Sequence, residues 1–492
     1  MIVKGEYFFM NELDWKPDKS TPVPLYIQIK EYIKEKIETG EWTLGTKIPP
    51  QRTLAKAFGV NRSTIVAAME ELIADGLLEG KRGGGTKIIN NSWSLMTSTP
   101  LPDWNSYVQA GSYYPNLPTI QEINKAEFDS NIIRLGTGEL SPDLFPREMM
   151  KQVFEKLTGH IDSLGYEEPK GLLFLREQLS RYLKTIGIEA SPSSILIVSG
   201  ALQALQLISI GLLRRGATIF LEKPSYLYSL HVFQSAEMRL FGLPLDEHGI
   251  QANKISEQKK RQNASLLYTI PSFHNPTGIL MSEERRRKLI DVCEKERLPI
   301  IEDDVYRELW LDSPPPPPLK AIDKNGLVLY LGSMSKTLSP GLRIGWIVGP
   351  KPVIERLADI KMQTDYGSSS LSQWAVAEWL ASGLYHQHLE EVRKELKVRR
   401  EIMIDLLQRY FSDIATWTVP RGGFYIWLRI LPSISIRELF EKSLEHGILL
   451  NPGNVYDKHA AQYLRLSYSY ASLADLEKGM FRLSKVIRQL IT

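Results

Sequence analysis

The chain has 492 residues, 43% hydrophobic and 24% charged, a balance that excludes disordered, collagenous and membrane-embedded classes; the length exceeds the roughly 250–300 residues at which a single core stops growing. Sixty Lys and Arg face 57 Asp and Glu, a net charge of +3, so total charge does not announce a nucleic-acid partner and any basic face is local. The lone cysteine, Cys293, excludes a disulfide framework and a CxxC metal site, and no apolar run approaches the ~18 residues of a membrane span, so a cytoplasmic protein without metal is expected.

Leu25, Ile29, Ile33 and Ile37 recur every four residues, the stripe of an amphipathic helix that Gly40 ends. Pro49-Pro50 followed by Leu54, Ala57 and Phe58 signals a short second helix. The turn Gly59-Val60-Asn61 separates it from a third, which carries Ile65, Val66, Met69, Leu72 and Ile73 and stops at Gly76. Leu77 to Ile89 reads as two short strands around a glycine-rich, basic hairpin. A helix, a helix-turn-helix and a hairpin make a winged helix over residues 20–89. Lys47, Arg52, Lys56, Arg62, Lys81, Arg82 and Lys87 oppose Glu70, Glu71, Asp75 and Glu79, which makes this stretch locally basic.

Residues 90–131 lose periodicity yet keep Trp93, Trp104, Tyr107, Tyr113 and Tyr114, so a linker that partly docks on a larger unit is expected. From Ile132 onward, apolar runs at Ile195–Val198, Thr218–Leu221, Ser265–Tyr268, Leu298–Ile301 and Leu327–Leu331 alternate with amphipathic stretches of helix length, the rhythm of buried parallel strands with crossover helices. The polyproline segment Pro314–Pro318 reads as a stiff surface loop. Cys293 reads as a small buried hydrophobe.

The strongest chemical signal is Ser333-Met-Ser335-Lys336 with Arg343 seven residues on, directly after an apolar strand. A positioned, deprotonated lysine amine is what covalent attachment to an aldehyde requires. The hydroxyls of Ser333 and Ser335 and the fork of Arg343 are donors suited to a phosphate dianion. Taken alone, the same residues also read as a solvated loop. Ser199-Gly200-Ala201-Leu202 follows a strand and opens a helix, where the amides of Ala201 and Leu202 would meet a phosphate with the helix dipole behind them.

Residues 132–492 resemble the class I, fold type I aminotransferases, which implies a large α/β domain, a small αβ C-terminal subdomain from about residue 351, and pyridoxal 5'-phosphate bound at Lys336. In His274-Asn275-Pro-Thr-Gly278 the resemblance implies that Asn275 donates to the cofactor's phenolic oxygen, shared with Tyr306. In Ile301-Glu-Asp303-Asp304-Val-Tyr306 it implies that Asp303 pairs with the pyridine nitrogen, Asp304 being its rival. Glu222-Lys-Pro-Ser-Tyr226 resembles the loop whose aromatic residue stacks on the ring, ahead of Tyr228. Gly165-Tyr166 resembles the segment that carries a tyrosine to the other subunit's phosphate in a homodimer. Arg465, within Tyr463-Leu-Arg465-Leu-Ser, takes the place of the arginine that grips a substrate carboxylate; Arg421 ranks below it.

Residues 24–89 resemble the GntR-type winged helix-turn-helix, on Pro24-Leu-Tyr-Ile-Gln28, Gly45-Thr-Lys-Ile-Pro49, Arg52-Thr-Leu-Ala55 and Gly59-Val-Asn-Arg62-Ser-Thr64. Double-stranded operator DNA would then meet Asn61, Arg62, Ser63 and Thr64 at the start of the third helix, Arg52 on the second, and Lys81, Arg82 and Gly83 on the wing. The two matches together resemble the MocR/GabR subfamily of GntR regulators. That resemblance implies a transcription factor sensing an amine or amino acid, or pyridoxal phosphate itself. A working aminotransferase with a DNA-binding head remains the alternative, since every residue for turnover is present.

Overall fold

The protein is described from a computed structural model over residues 15–81, 85–90, 104–111, 113–159 and 165–491. It divides into two compact units, residues 1–112 and 113–492.

In the first unit, α1 (Leu25–Glu38), α2 (Gln51–Phe58) and α3 (Arg62–Ala74) surround one core. The four-residue stripe of α1 supplies Ile29, Ile33 and Ile37. Leu54 and Phe58 of α2 and Ile65, Ala68, Met69 and Leu72 of α3 close over them. Gly59 ends α2 at φ +65, a left-handed conformation that costs a Cβ-bearing residue energy, and so lets the chain turn sharply into α3. Lys30 on α1 pairs with Glu71 at 3.3 Å and Asp75 at 2.9 Å on α3. These surface pairs orient the two helices more than they stabilise them. The hairpin consists of β2 (Leu78–Lys81) and β3 (Gly85–Ile88), antiparallel with Leu78 opposite Ile88. An additional strand, β1 (Lys47–Ile48), pairs with β3. Two residues carry no readable period, which is why the sequence hid it. Arg82 and Gly83 lie outside the described residues.

In the second unit, an eight-stranded sheet runs β5-β12-β11-β10-β9-β6-β7-β8. Its members are β5 (Ile195–Val198), β6 (Thr218–Lys223), β7 (Arg239–Asp246), β8 (Gly249–Ile250), β9 (Ala264–Thr269), β10 (Ile300–Asp303), β11 (Val328–Ser333) and β12 (Gly345–Val348). The expectation of parallel strands holds for β11-β10-β9-β6-β7. It fails at β12, which pairs antiparallel with both β11 and β5. A buried strand is apolar whichever way it runs, so its direction was not readable.

A smaller antiparallel sheet runs β13-β14-β17-β16, built from β13 (Ala415–Trp417), β14 (Tyr425–Ile430), β16 (Asn451–Pro452) and β17 (Tyr463–Ser467). Beside it β4 (Ile133–Arg134) pairs in parallel with β15 (Ile448–Leu449), so the first strand of the unit is tied to its C-terminal part. Residues 113–131, expected within the linker, belong to this unit. The Tyr113 hydroxyl accepts from Gln206 at 3.1 Å, the Tyr114 amide donates to Ser235 at 3.2 Å, and the helix Pro118–Ala126 buries Ile123. The Pro314–Pro318 loop is pinned as well: Arg307 donates to the carbonyls of Pro315 at 3.3 Å and Pro316 at 2.9 Å. Among the described residues, no helix is long and apolar enough to cross a membrane.

Candidate functional site

A cavity of about 390 Å3 opens at the C-terminal ends of the parallel strands, where open α/β sheets place ligands. Strand β10 ends on Asp303 and β11 on Ser333, so their last side chains emerge at its floor. The cavity gathers Lys336, Asn275, Asp303, Tyr306, Tyr226, Ser333, Ser335, Arg343, Ala201, Leu202 and Arg465.

The anion-facing end is built from backbone first. Gly200 precedes the helix Ala201–Leu212 at φ +92, and a Cβ there would stand 2.7 Å from the Arg343 guanidinium. Only glycine admits this approach. Arg343 donates to the Ser199 carbonyl at 2.7 Å. The Ser333 hydroxyl donates to Ser335 Oγ at 3.0 Å. Hydroxyls, a guanidinium and a helix N-terminus are a donor set for a phosphate dianion.

Lys336 donates from Nζ to the Gly138 carbonyl at 2.7 Å. Asp303 accepts from the Tyr268 hydroxyl at 2.7 Å on Oδ2, while its buried Oδ1 has no hydrogen-bond partner. Burial pushes the Asp303 carboxyl up to about 6, against the Tyr268 hydrogen bond that pulls it down. Asp304 turns away from the cavity and pairs with Arg307 at 3.3 Å. Asn275 donates to the Tyr306 hydroxyl at 3.3 Å, and that hydroxyl lies 3.1 Å from the hydroxyl of Tyr425. Tyr226 lines the cavity and burial pushes its phenol up to about 12, which keeps the ring neutral.

Arg465 rises from β17, 6% exposed, with Tyr425 and Tyr456 rings 4.3 and 4.9 Å from its guanidinium. It donates to Asn275 Oδ1 at 2.9 Å and to the Gly136 carbonyl at 2.7 Å, and its Nε has no partner. Among the described residues no carboxylate neutralises it. A buried, unpaired guanidinium costs stability unless a ligand carboxylate completes it. Arg421 stays exposed and outside the cavity.

These vacant valences match pyridoxal phosphate: an amine at Lys336, an uncompensated carboxylate oxygen at Asp303 for a protonated ring nitrogen, and a separate anion end. Tyr166 does not join them. It is 83% exposed and packs edge-on against Tyr366 at 4.9 Å. Sequence reasoning missed Tyr425, Tyr456 and Asn451 of the lining, which no motif marks, Tyr268, which braces Asp303, and Asn116, Ile120, Ile123, Asn124 and Glu127, which lay in the expected linker.

In the first unit Arg52, Asn61, Arg62 and Ser63 are exposed at the junction of α2 and α3, and Thr64 is half-buried. Arg62 donates from Nε and Nη2 to Gln51 at 3.2 and 3.1 Å, which holds its guanidinium across the turn. Asn61 occupies the N-cap of α3 without a side-chain capping bond, so its amide is not spent on the helix.

Fold and cavity define an aminotransferase-type unit, and the head defines a winged helix. Residues 130–483 match the family of aminotransferase class I and II, and residues 25–88 match the bacterial regulatory proteins of the gntR family. The chain belongs to the GntR-type transcriptional regulators in which the DNA-binding helix-turn-helix domain is fused to an aminotransferase class I and II domain. It is 58% identical over 472 residues to the uncharacterized HTH-type transcriptional regulator YdfD of Bacillus subtilis, covering 96% of this chain and 98% of that one. It is 37% identical to the HTH-type transcriptional regulator NorG of Staphylococcus aureus, covering 90% and 100%. Among solved structures, a kynurenine aminotransferase of Pyrococcus horikoshii superposes with a TM-score of 0.73 at 31% identity, covering 77% of this chain and 96% of that one. A multiple substrate aminotransferase from Thermococcus profundus does so at 0.73 and 28%, covering 79% and 99%.

Proposed function

We propose that this regulator binds operator DNA as a cytoplasmic homodimer, holds pyridoxal 5'-phosphate on Lys336, and changes its DNA affinity when an amine or amino acid enters the cavity. The observation that carries the reading is the convergence of Lys336, the unpartnered Asp303 oxygen and the unneutralised Arg465 in one cavity of a chain that also carries a winged helix. Pyridoxal phosphate supplies an aldehyde that combines reversibly with amines and a ring that withdraws electrons.

The chain's residues divide the work. Ser333, Ser335, Arg343 and the Ala201 and Leu202 amides hold the phosphate. Asp303, braced by Tyr268, holds the ring nitrogen's proton. Asn275 and Tyr306 donate to the phenolic oxygen, and Tyr226 covers the ring. Arg465 orients an effector by its carboxylate, and Tyr166 reaches the site of the partner copy. Asn61, Arg62, Ser63 and Thr64 meet the major groove, Arg52 sets register, and Lys81, Arg82 and Gly83 touch the backbone from the wing. An effector shifts DNA affinity only by its differential affinity for two arrangements of the protein, so no turnover is required.

The test is a binding measurement on the protein's own upstream DNA with the visible absorbance of the loaded protein followed in parallel. An amino acid that shifts both supports the reading. A colourless protein after incubation with pyridoxal phosphate overturns the cofactor assignment, and sustained transamination with no effect on DNA binding favours the enzyme instead.

A further inference from the structure

One end of the cavity remains unassigned. Lys336, Asp303, Arg343 and Arg465 face the cofactor and an α-carboxylate, whereas the remaining wall carries Asn116, Ile120, Ile123, Asn124, Glu127 and Glu139. The two glutamates are the charged members of that wall, and among the described residues neither forms an ion pair. Glu127 accepts from the Thr137 hydroxyl at 2.9 Å on one oxygen, leaving the other for a further donor. It occupies the C-terminal cap of the helix Pro118–Ala126, where the helix dipole opposes a negative charge. Helix stability therefore does not explain it.

Charge accounting points the same way. With the phosphate on Arg343, the ring nitrogen on Asp303 and Lys336 engaged, one guanidinium and two carboxylates remain in the lining. Once its α-amino group is taken up by the cofactor's aldehyde, a neutral amino acid compensates Arg465 with its carboxylate and leaves both glutamates uncompensated. A second carboxylate would enter a like-charged wall with no cation to meet it. A side chain with an apolar stem and a cationic end would lay its methylenes along Ile120 and Ile123 and bring its charge to the acidic wall.

We infer that the effector is an α-amino acid whose side chain ends in an amine or guanidinium, selected by Glu127 and Glu139. The inference rests on the sensor reading above. The full-length protein loaded with pyridoxal phosphate is titrated with L-lysine, L-ornithine, L-arginine, L-norleucine and L-glutamate, read by calorimetry and by cofactor absorbance. The tightest basic amino acid is expected to bind at least about tenfold better than norleucine, with glutamate weakest. In Glu127→Gln the lysine-to-norleucine ratio falls, and in Glu127→Lys the order of lysine and glutamate inverts, the cofactor absorbance reporting that each variant is folded. Glutamate binding as tightly as lysine overturns the inference, as does an unchanged ratio in both Glu127→Gln and Glu139→Gln. Amino acids that bind without this order overturn the selectivity alone. No heat and no spectral change with any of them removes the sensor reading and this inference with it.

Discussion

The exposed Arg52, Asn61, Arg62 and Ser63 come from one short stretch of the head, whereas Arg465 and Asn275, in direct contact across the cavity, are 190 residues apart. The head's residues are hydrated and need no completion by the fold. The cavity holds a buried carboxylate oxygen and a buried guanidinium nitrogen with no partner. A polyanion is met by convex, solvated donors, which one local motif can present. A small ligand is gripped by desolvated groups whose burial costs stability, and only a large core such as that around the eight-stranded sheet offsets that. The contrast is between recognition that is cheap to build and recognition that stores vacant valence.

The largest break in this contrast is expected from Lys336→Ala, which abolishes the visible absorbance of the loaded protein while operator binding by the head in the absence of effector persists; spectrophotometry and a gel-shift titration check both halves. Next is the head's core. Phe58 is 1% exposed, and Phe58→Ala is expected to cost about 3–5 kcal/mol, lowering the head's unfolding transition in calorimetry and abolishing DNA binding while the absorbance stays.

The cavity's stored cost is sharpened by Asp303→Asn. Burial raises that carboxyl from 3.8 to about 6, so the folded protein without cofactor binds a proton more readily than the unfolded chain. The stability this proton confers is present below about pH 4 and is lost as pH rises to about 6. Asp303→Asn is therefore expected to stabilise the cofactor-free protein at pH 7 by about 3 kcal/mol, flatten its stability between pH 4 and 6, and weaken cofactor binding. Thermal melts across that range check the sign. The smallest effect is Arg62→Ala in the head, expected to weaken operator binding by about 1–3 kcal/mol and to reduce the slope of log affinity against log salt by about 1. A strong stability change there would break the contrast, because an exposed residue of the helix-turn-helix should not hold the fold together.

Much of the head was legible because its information is local. The period-four stripe of Leu25, Ile29, Ile33 and Ile37, the glycine at 59 and the glycine-rich hairpin each follow from short-range rules, and β1 escaped only because two residues show no period. In the larger unit many of the cavity-lining residues lie in short recognisable segments, such as Asn275 to Gly278 and Ser333 to Arg343. Tyr425 and Tyr456 do not, since a buried tyrosine looks the same in sequence whether it packs a core or lines a cavity. The docking of segment 113–131 on the larger unit was expected from its aromatics, but where the linker ends was not: one buried anchor, Ile123, is too little apolar pattern to mark residue 113 as the start of that unit.

The sequence by itself determined the two-part organisation, the helix-turn-helix and the lysine, aspartate and arginine types of the site, because periodicity, turn residues and reactive side chains are properties of short stretches. Only the tertiary structure decided that Asp303 rather than Asp304 enters the cavity, that β12 runs against its neighbours, that Arg465 is left without an anion, and that Glu127 joins the wall. Each of these depends on which groups distant segments bring together and which they leave uncompensated, and no local pattern carries that.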